Sequence, residues 1–192
     1  MKNVIIYLHG FLSSPQSVKA QQTLDFAQMH FPQVECVIPQ LPPYPVPTIQ
    51  LLDQLIDQYQ GCRVGFIGSS LGGYLSTYLR EKYQGKAVLI NPAVQPYTLL
   101  ADYLGPHVNP YTQEAFTLED IHTLQLADID SPVLTCPENY WVLLQTGDET
   151  LDYRLAEQKY RQAKLTIEPG GDHSFQNYPR FLVDIFRFLL QE

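Results

Sequence analysis

The sequence predicts an α/β protein in which helices cover both faces of a mostly parallel, doubly wound sheet of about six strands. Short apolar runs, typical of buried strands, alternate with stretches in which apolar residues recur every three or four positions, as in amphipathic helices. Alternation of this kind is typical of parallel sheets, whose crossover connections are usually helices. The length of 192 residues fits one domain, which we expect to span residues 1–192.

Six apolar runs are predicted to be the strands, and the amphipathic stretches between them are predicted to be the helices. The predicted strands are Val4–Leu8, Val34–Ile38, Arg63–Ile67, Ala87–Ile90, Tyr140–Gln145 and Leu165–Glu168. The predicted helices begin near Ser17, Thr48, Leu71, Tyr153 and Phe181. In sheets of this type, ligands bind at the carboxyl ends of the strands.

Two segments interrupt this alternation. Five prolines between Pro39 and Pro47 predict a loop, because proline cannot donate to a sheet ladder. Its position between a strand and a helix favours a rigid loop on a pocket rim over a polyproline ligand for another protein. Residues 91–138 contain no clear strand. We interpret them as a partly helical lid insertion, since a compact domain rarely carries so long a connection without a function.

The charge balance argues against several classes of partner. Twenty acidic residues against twelve basic ones give a formal net charge of −8, which argues against a broad nucleic-acid surface. It leaves open an anionic substrate held by one local cation. No apolar stretch approaches the roughly 20 residues of a membrane span, and no signal peptide is recognisable, so we expect a cytoplasmic protein. Cys36, Cys62 and Cys136 fit neither a disulfide framework nor a zinc site.

The strongest functional signal is the pentapeptide Gly68-Ser69-Ser70-Leu71-Gly72, which matches G-x-S-x-G. A predicted strand precedes it and a helical pattern follows it, which is the context that a nucleophile elbow requires in an α/β-hydrolase fold. The central residue of such an elbow lies on a sharp, strained turn, and side chains two positions away would collide across that turn. We therefore predict that Ser70 is a nucleophile and that Gly68 and Gly72 allow the turn.

A serine hydroxyl needs a positioned base, and on this fold the chain order is serine, acid, histidine. His173 fits because it follows the last predicted strand, in a loop that Gly170 and Gly171 allow to bend. The other histidines are interpreted as a brace of the first loop (His9) or as helix and lid residues (His30, His107 and His122).

The acid is expected just after the preceding strand, where Gly147 and Asp148 follow Tyr140–Gln145. Asp148 is therefore predicted to orient the imidazole of His173 and to stabilise the imidazolium. Three other carboxylates lie nearby in the sequence. Glu149 should point elsewhere because it is adjacent to Asp148, Asp152 is placed to cap the following helix, and Asp172 is too close to His173 in sequence to reach the far ring nitrogen.

The oxyanion of an acyl-transfer reaction needs two fixed N–H donors, each worth roughly 3–4 kcal/mol of the barrier. One is predicted to be the backbone N–H of Leu71, directly after the nucleophile. The other is predicted to be the N–H of Phe11, in the loop after the first strand, because Gly10 lets the backbone turn its amide toward the site. No metal ion or organic cofactor is expected.

Five motifs in this order resemble the YqiA/YcfP-type esterases, a group of small bacterial α/β-hydrolases. The resemblance extends from about residue 3 to residue 190 and is carried by Tyr7–Pro15 with Ser17, Lys19 and Ala20, by Gly68–Gly73, by Asn91–Ala93, by Gln145–Glu149 with Leu151–Tyr153, and by Gly170–Phe175. It implies a shortened sheet and carboxylesterase or acyl-thioesterase activity on short acyl chains. The catalytic triad of the family falls on Ser70, Asp148 and His173.

The function expected from the sequence is therefore that of a serine esterase which hydrolyses small carboxylic esters or acyl thioesters through an acyl-enzyme intermediate. An alternative from another class is a catalytically idle module of the same fold. Such a module would bind a protein partner through the lid or through the loop at Pro39–Pro47. The complete set of catalytic side chains argues against it, because an idle copy is free to lose any of them.

Overall fold

Eight strands form two sheets in residues 1–191, the part of the chain that this computed structural model describes. In chain order the strands are β1 (Asn3–Leu8), β2 (Val34–Val37), β3 (Arg63–Ser69), β4 (Lys86–Ile90), β5 (Gly105–Val108), β6 (Ala115–Leu118), β7 (Tyr140–Gln145) and β8 (Lys164–Glu168). Six of them form a sheet in the order β2-β1-β3-β4-β7-β8. Every neighbouring pair in that sheet is parallel, as the sequence predicts.

Seven α-helices connect and cover these strands within the described residues. They are α1 (Val18–His30), α2 (Pro45–Asp57), α3 (Leu71–Tyr83), α4 (Pro96–Leu100), α5 (Asp120–Ala127), α6 (Tyr153–Lys159) and α7 (Leu182–Leu190). Helices α2, α3 and α6 contribute to one buried apolar cluster, and α1 and α7 contribute to another. The sheet is therefore covered on both faces, and the predicted doubly wound α/β architecture is confirmed.

Burial on both faces explains why the strands read as continuous apolar runs. In β1, Val4, Ile6 and Leu8 belong to one core cluster, whereas Ile5 and Tyr7 belong to the other. All five side chains are at most 1% exposed. Because alternate residues of a strand point to opposite faces, only an uninterrupted apolar run can fill both layers of the core.

Helix α2 begins earlier than the sequence predicts. The proline-rich segment was expected to stay a loop through Pro47, with a helix from Thr48, but the helix starts at Pro45. Proline is compatible with the first helical turn, where its missing N–H would have no intrahelical partner in any case. The hydroxyl of Thr48 donates to the carbonyls of Pro42 and Tyr44, which fixes the preceding loop against the helix.

The insertion at residues 91–138 is partly helical, as expected, and also contains a β-hairpin whose two short strands are not clear in the sequence. Strands β5 and β6 pair in an antiparallel register that runs from Gly105 opposite Leu118 to Val108 opposite Ala115. Each strand has only four residues, and β5 includes a proline, so the sequence signal is weak. Phe116 is buried on one face of β6, where its ring meets that of Phe11.

A buried ion pair fixes the end of this insertion to α3. Arg80 is 2% exposed, and its guanidinium donates to the carboxylate of Glu81 at 3.0 Å and to the hydroxyl of Thr135 at 2.8 Å. Glu81 also accepts from the backbone N–H and hydroxyl of Thr135 and from the hydroxyl of Tyr140. The last turn of α3 is thereby linked to the segment that leads into β7.

No helix in residues 1–191 combines the length and the apolar character needed to cross a membrane.

Replacing Glu81 by Ala should reduce the free energy of unfolding by about 3 kcal/mol, because it leaves a buried guanidinium without its carboxylate. Urea unfolding of purified protein measures this change. Glu157→Ala is the matched control, because Glu157 is an exposed residue of α6. This substitution should change the free energy of unfolding by no more than about 0.5 kcal/mol. Equal, small effects of the two substitutions would contradict a structural role for the ion pair.

Candidate active site

Ser70 lies on the sharp turn between β3 and α3, in a strained backbone conformation. Its φ is 56° and its ψ is −120°, a combination that residues with a Cβ rarely adopt. Its N–H donates to the carbonyl of Ile90, and its carbonyl accepts from the N–H groups of Gly73 and Ala93. These backbone bonds hold the turn against the end of β4, so the strained geometry is imposed by the surrounding structure.

Two glycines make this turn sterically possible. A Cβ at Gly68 would lie 2.2 Å from the carbonyl oxygen of Gly72, and a Cβ at Gly72 would lie 2.0 Å from the carbonyl oxygen of Leu8. Both distances are far below van der Waals contact, so neither position accepts a larger residue without a backbone shift. The predicted reason for these glycines, contact across the turn, holds for Gly68. Gly72 instead allows α3 to approach β1.

The structure brings Ser70, His173 and Asp148 into one chain of hydrogen bonds. The Nε2 atom of His173 lies 3.1 Å from the hydroxyl oxygen of Ser70. Its Nδ1 atom lies 2.8 Å from Oδ2 and 3.0 Å from Oδ1 of Asp148. A nucleophile, a base and an orienting acid within hydrogen-bond reach of one another are the arrangement that activates a serine hydroxyl.

The side chains of Asp148 and His173 differ in their exposure to solvent. The side chain of Asp148 is 1% exposed, whereas that of His173 is 24% exposed. The Oδ1 atom of Asp148 also accepts the backbone N–H groups of Thr150 at 2.9 Å and Leu151 at 2.8 Å. The carboxylate is therefore fixed by the loop after β7, and the imidazole faces the solvent side of the site.

Two buried amide side chains hold the loop of His173. Neither residue is among the site residues predicted from the sequence. Asn91, directly after β4, donates to the carbonyls of Asp172 at 3.0 Å and His173 at 3.3 Å and accepts the N–H of Gln145. Gln145, at the end of β7, accepts the N–H groups of Asp172 and Gln176. In the sequence, the only sign of these two residues is that each is a polar residue at the carboxyl end of a predicted buried strand.

The three carboxylates that were weighed against Asp148 have other contacts. Glu149 was expected to point away from the base, but its Oε2 atom accepts the backbone N–H of His173 at 3.0 Å. It therefore supports the loop of the histidine without contacting the ring. Asp152 caps α6 by accepting the N–H of Arg154, as the sequence suggests. Asp172 accepts hydrogen bonds from Ser174 and Gln176.

The two candidate oxyanion donors flank Ser70. Leu71 is the first residue of α3 and follows Ser70 directly. On the other side, a Cβ built at Gly10 would lie 3.2 Å from the Cβ of Ser70 and 3.7 Å from its hydroxyl oxygen, so the loop that carries Phe11 passes close to Ser70. The side chains of Phe11 and Leu71 both line the cavity described below.

His9 is buried and braces the loop beside Ser70. Its Nε2 atom accepts the backbone N–H of Leu41 at 3.2 Å, and its Nδ1 atom, which then carries the proton, donates to the carbonyl of Gly10 at 3.0 Å. Burial lowers the pKa of His9 from its usual value of 6.5. The ring therefore joins the loop after β1 to the proline-rich segment as a neutral imidazole.

An apolar cavity lies beside Phe11 and Leu71, between the core and the insertion at residues 91–138. The space open to a water-sized molecule is about 60 Å³, so the cavity is a narrow slot. Its apolar lining comes from the loop after β1, the proline-rich segment, α3 and the lid, and includes Phe11, Leu41, Pro43, Leu71, Leu75, Phe116, Leu118 and Leu126. The prediction that the proline-rich segment forms a pocket rim is thus confirmed. We refer to this slot as the apolar cavity.

His107 and His122 lie in the lid, and His122 lines the apolar cavity. The ring of His122 stacks on Tyr44 of the proline-rich segment at 4.6 Å between centroids. Its Nδ1 atom accepts the N–H of Glu119 at 2.9 Å, so it belongs to the cap of α5. Across residues 1–191, no three His, Cys, Asp or Glu side chains are grouped in a way that could hold a metal ion.

The parallel sheet, the strained elbow and the position of Ser70 at the carboxyl end of β3 define an α/β-hydrolase fold. The chain belongs to the uncharacterised protein family UPF0227, whose family model matches residues 4–190. This is the YqiA/YcfP family, so the resemblance found in the sequence is confirmed.

Solved structures share the same fold at low sequence identity. A protein from Agrobacterium vitis S4 is 17% identical with a TM-score of 0.78, over 98% of this chain and 88% of the other. The mouse alpha/beta hydrolase domain-containing protein 10 is 16% identical with a TM-score of 0.72, over 97% of this chain and 89% of its own. The esterase Pf2001 of Pyrococcus furiosus is 14% identical with a TM-score of 0.63, over 98% of this chain and 80% of its own.

Replacing Gly72 by Ala should reduce the free energy of unfolding by about 3 kcal/mol, because the new methyl group overlaps the backbone of β1. Gly61→Ala is the control. That glycine has φ of +79° but no atom within 4 Å of the added Cβ, so only the left-handed backbone is penalised, by about 1 kcal/mol. Denaturant unfolding compares the two, and a loss for Gly72→Ala no larger than the control would contradict the close contact with β1.

The contribution of His9 to stability should be largest above about pH 7 and decline as the pH falls toward about 5. The folded state holds the ring neutral with a lowered pKa, so below 6.5 the unfolded chain binds this proton more readily and unfolding is favoured. We expect the stability difference between wild type and His9→Gln, measured by urea unfolding across this range, to shrink with falling pH. A difference that grows as the pH falls would contradict a neutral His9.

Proposed function

We propose that this protein is a serine esterase that hydrolyses small carboxylic esters or acyl thioesters. Ser70 is the nucleophile, His173 the general base and acid, and Asp148 the residue that orients the imidazole. The single observation that carries this proposal is the continuous hydrogen-bonded chain from the Ser70 hydroxyl through both ring nitrogens of His173 to Asp148. Three side chains separated by up to 103 positions in the sequence meet in the geometry that acyl transfer requires.

The first half of the reaction forms an acyl-enzyme. His173 removes the hydroxyl proton of Ser70 through Nε2, and the Ser70 oxygen attacks the carbonyl carbon of the substrate. The backbone N–H groups of Leu71 and Phe11 stabilise the negative oxygen of the tetrahedral intermediate. When the intermediate collapses, the bond between the carbonyl carbon and the leaving oxygen or sulfur breaks, and His173 donates its proton to the leaving group.

The second half releases the acid. His173 takes a proton from a water molecule, whose oxygen attacks the acyl-enzyme carbonyl. The same two N–H groups stabilise the second tetrahedral intermediate, and His173 returns a proton to the oxygen of Ser70. Asp148 stays ionised throughout and stabilises the imidazolium that forms in each half-reaction. Its two backbone N–H contacts, from Thr150 and Leu151, hold the carboxylate in place beside the ring.

The apolar cavity supports an ester or thioester with a small apolar acyl group. It lies on the side of Leu71 and Phe11, the candidate oxyanion donors, which is where an acyl chain would extend from the carbonyl carbon. A narrow slot excludes water from an alkyl chain but does not hold a bulky group. The fold neighbour from Pyrococcus furiosus is named an esterase, which is consistent with this reaction class.

Substitution of the proposed nucleophile tests the reaction. Ser70→Ala should lower kcat/KM for p-nitrophenyl butyrate by at least about 10³-fold, since the remaining groups cannot form an acyl-enzyme. Asp148→Asn should cost about 10³–10⁴-fold, because the amide favours the wrong imidazole tautomer. A fluorophosphonate probe should label wild type and not Ser70→Ala, as read by intact mass.

A buried serine within α3, Ser76, provides the control. Ser76 is buried, and its hydroxyl is without a hydrogen-bond partner among the described residues, so Ser76→Ala removes the same atom outside the site. Its kcat/KM should remain within about twofold of wild type. The proposal fails if the wild type neither turns over p-nitrophenyl acetate or butyrate nor reacts with the probe, or if Ser70→Ala retains wild-type turnover.

A further inference from the structure

A second cavity lies on the other side of the loop that follows β1. About 410 Å³ of it is open to a water-sized molecule, compared with about 60 Å³ in the apolar cavity, so its open volume is larger. Most of its lining side chains carry a hydroxyl, amide or ammonium group, among them Ser13, Ser17, Lys19, Gln22, Ser174 and Gln176. We call it the hydroxyl-lined cavity. His9, Gly10 and Ser13 line both cavities, so this loop is the wall between them.

The hydroxyl-lined cavity lies next to the chain neighbours of Ser70 and His173. Ser69, which precedes Ser70, is part of its wall, and so is Gly10, where a Cβ would lie only 3.7 Å from the Ser70 hydroxyl oxygen. Ser174, directly after His173, lines it as well. Neither cavity is lined by Ser70 or His173, so a substrate bound at Ser70 would pass these neighbouring residues to extend one part into each cavity, on opposite sides of the loop.

The proposed chemistry decides which part enters which cavity. The leaving group must lie beside His173, because Nε2 of that residue gives it a proton. Ser174 and Gln176, the neighbours of His173 in its loop, line the hydroxyl-lined cavity only, whereas Leu71 and Phe11 line the apolar cavity only. The acyl group therefore belongs in the apolar cavity and the leaving group in the hydroxyl-lined cavity.

We propose that the hydroxyl-lined cavity binds the leaving group of the substrate and that this group is an uncharged alcohol with further hydroxyls. The inference rests on the proposed esterase function and specifies its substrate class: esters that join a small apolar acid to a polyol. Serine hydroxyls and the amide of Gln22 can donate and accept hydrogen bonds, so they suit hydroxyl groups of either orientation.

Charge favours a neutral leaving group over an ionic one. Lys19 has the only ammonium or carboxylate group among the described side chains that line this cavity. It donates to the carbonyl of Ser174 at 2.6 Å, which leaves N–H groups for a ligand. Burial lowers the pKa of Lys19 to about 8, although the negative charges of Asp172 and Asp148 act in the opposite direction and raise it. The two carboxylates offset its charge for an anion, while a cation would meet the ammonium itself.

Matched butyrate esters test this assignment in the wild-type enzyme. Glycerol 1-butyrate and propyl butyrate share the acyl group and the three-carbon alcohol skeleton and differ by two hydroxyls. Two additional hydrogen bonds should raise kcat/KM for the glycerol ester by about tenfold or more. Propyl 3,4-dihydroxybutanoate carries the hydroxyls on the acyl side, so its kcat/KM should be lower than that of propyl butyrate. Choline butyrate has a cationic leaving group and the butyrate ester of 3-hydroxypropanoate an anionic one, and the kcat/KM of neither should exceed that of the glycerol ester.

Variants of the cavity wall show where the preference arises. Gln22→Leu and Lys19→Met should each lower the ratio of kcat/KM for glycerol 1-butyrate over propyl butyrate by at least about threefold. Gln28→Leu is the control, because Gln28 is an exposed residue of the same helix that does not line the cavity, and it should leave the ratio unchanged. The ratio separates leaving-group binding from a general effect on the His173 loop, which would lower turnover of both esters equally.

The outcomes distinguish this inference from the proposed function. If Ser70→Ala abolishes turnover of every ester but the wild-type ratio is near one, the esterase function stands and the leaving-group assignment is overturned. A preference for the dihydroxybutanoate, or for a charged leaving group, overturns it as well, and so does a ratio that neither Gln22→Leu nor Lys19→Met changes. If Ser70→Ala does not reduce turnover, the esterase proposal itself is wrong.

Discussion

The close approach of α3 to β1 is the contact on which the geometry of the site depends. Gly72 lets the first turn of the helix touch the backbone of Leu8, and this forces the chain to reverse within a few residues at Ser70. The cost is a backbone conformation at Ser70 that is unfavourable by itself. Packing of the helix on the sheet offsets that cost, and the hydroxyl is held clear of the strands, where a substrate can reach it.

His173, the proposed base, is positioned from the ends of two neighbouring strands. Asn91 follows β4 and Gln145 ends β7, and their amide groups bind the backbone of the loop that carries His173. Because parallel strands end at the same edge of a sheet, these amides share one frame with Ser70 at the end of β3. A loop with two glycines is flexible by itself, so its fixed position comes from these buried side chains.

The loop after β1 has two functions in this arrangement. It carries the proposed oxyanion donor Phe11, and it separates two cavities of different chemistry beside the nucleophile. His9 fixes it to the proline-rich segment through a neutral imidazole. Phe116 and Leu118 of the hairpin in the insertion line the apolar cavity, so the insertion contributes part of the surface proposed to hold the acyl group.

The sequence by itself determined the six strands of the parallel sheet with the five helices predicted around them, the elbow at Ser70 and the candidates Asp148 and His173, because apolar periodicity and glycine spacing are local signals. It did not determine the start of α2 at Pro45, the lid hairpin, or the contacts of Asn91, Gln145 and Glu149. Those depend on packing between segments that are distant in the chain. The same holds for the two cavities, which exist only where the loop after β1, the lid and the loop of His173 meet in three dimensions.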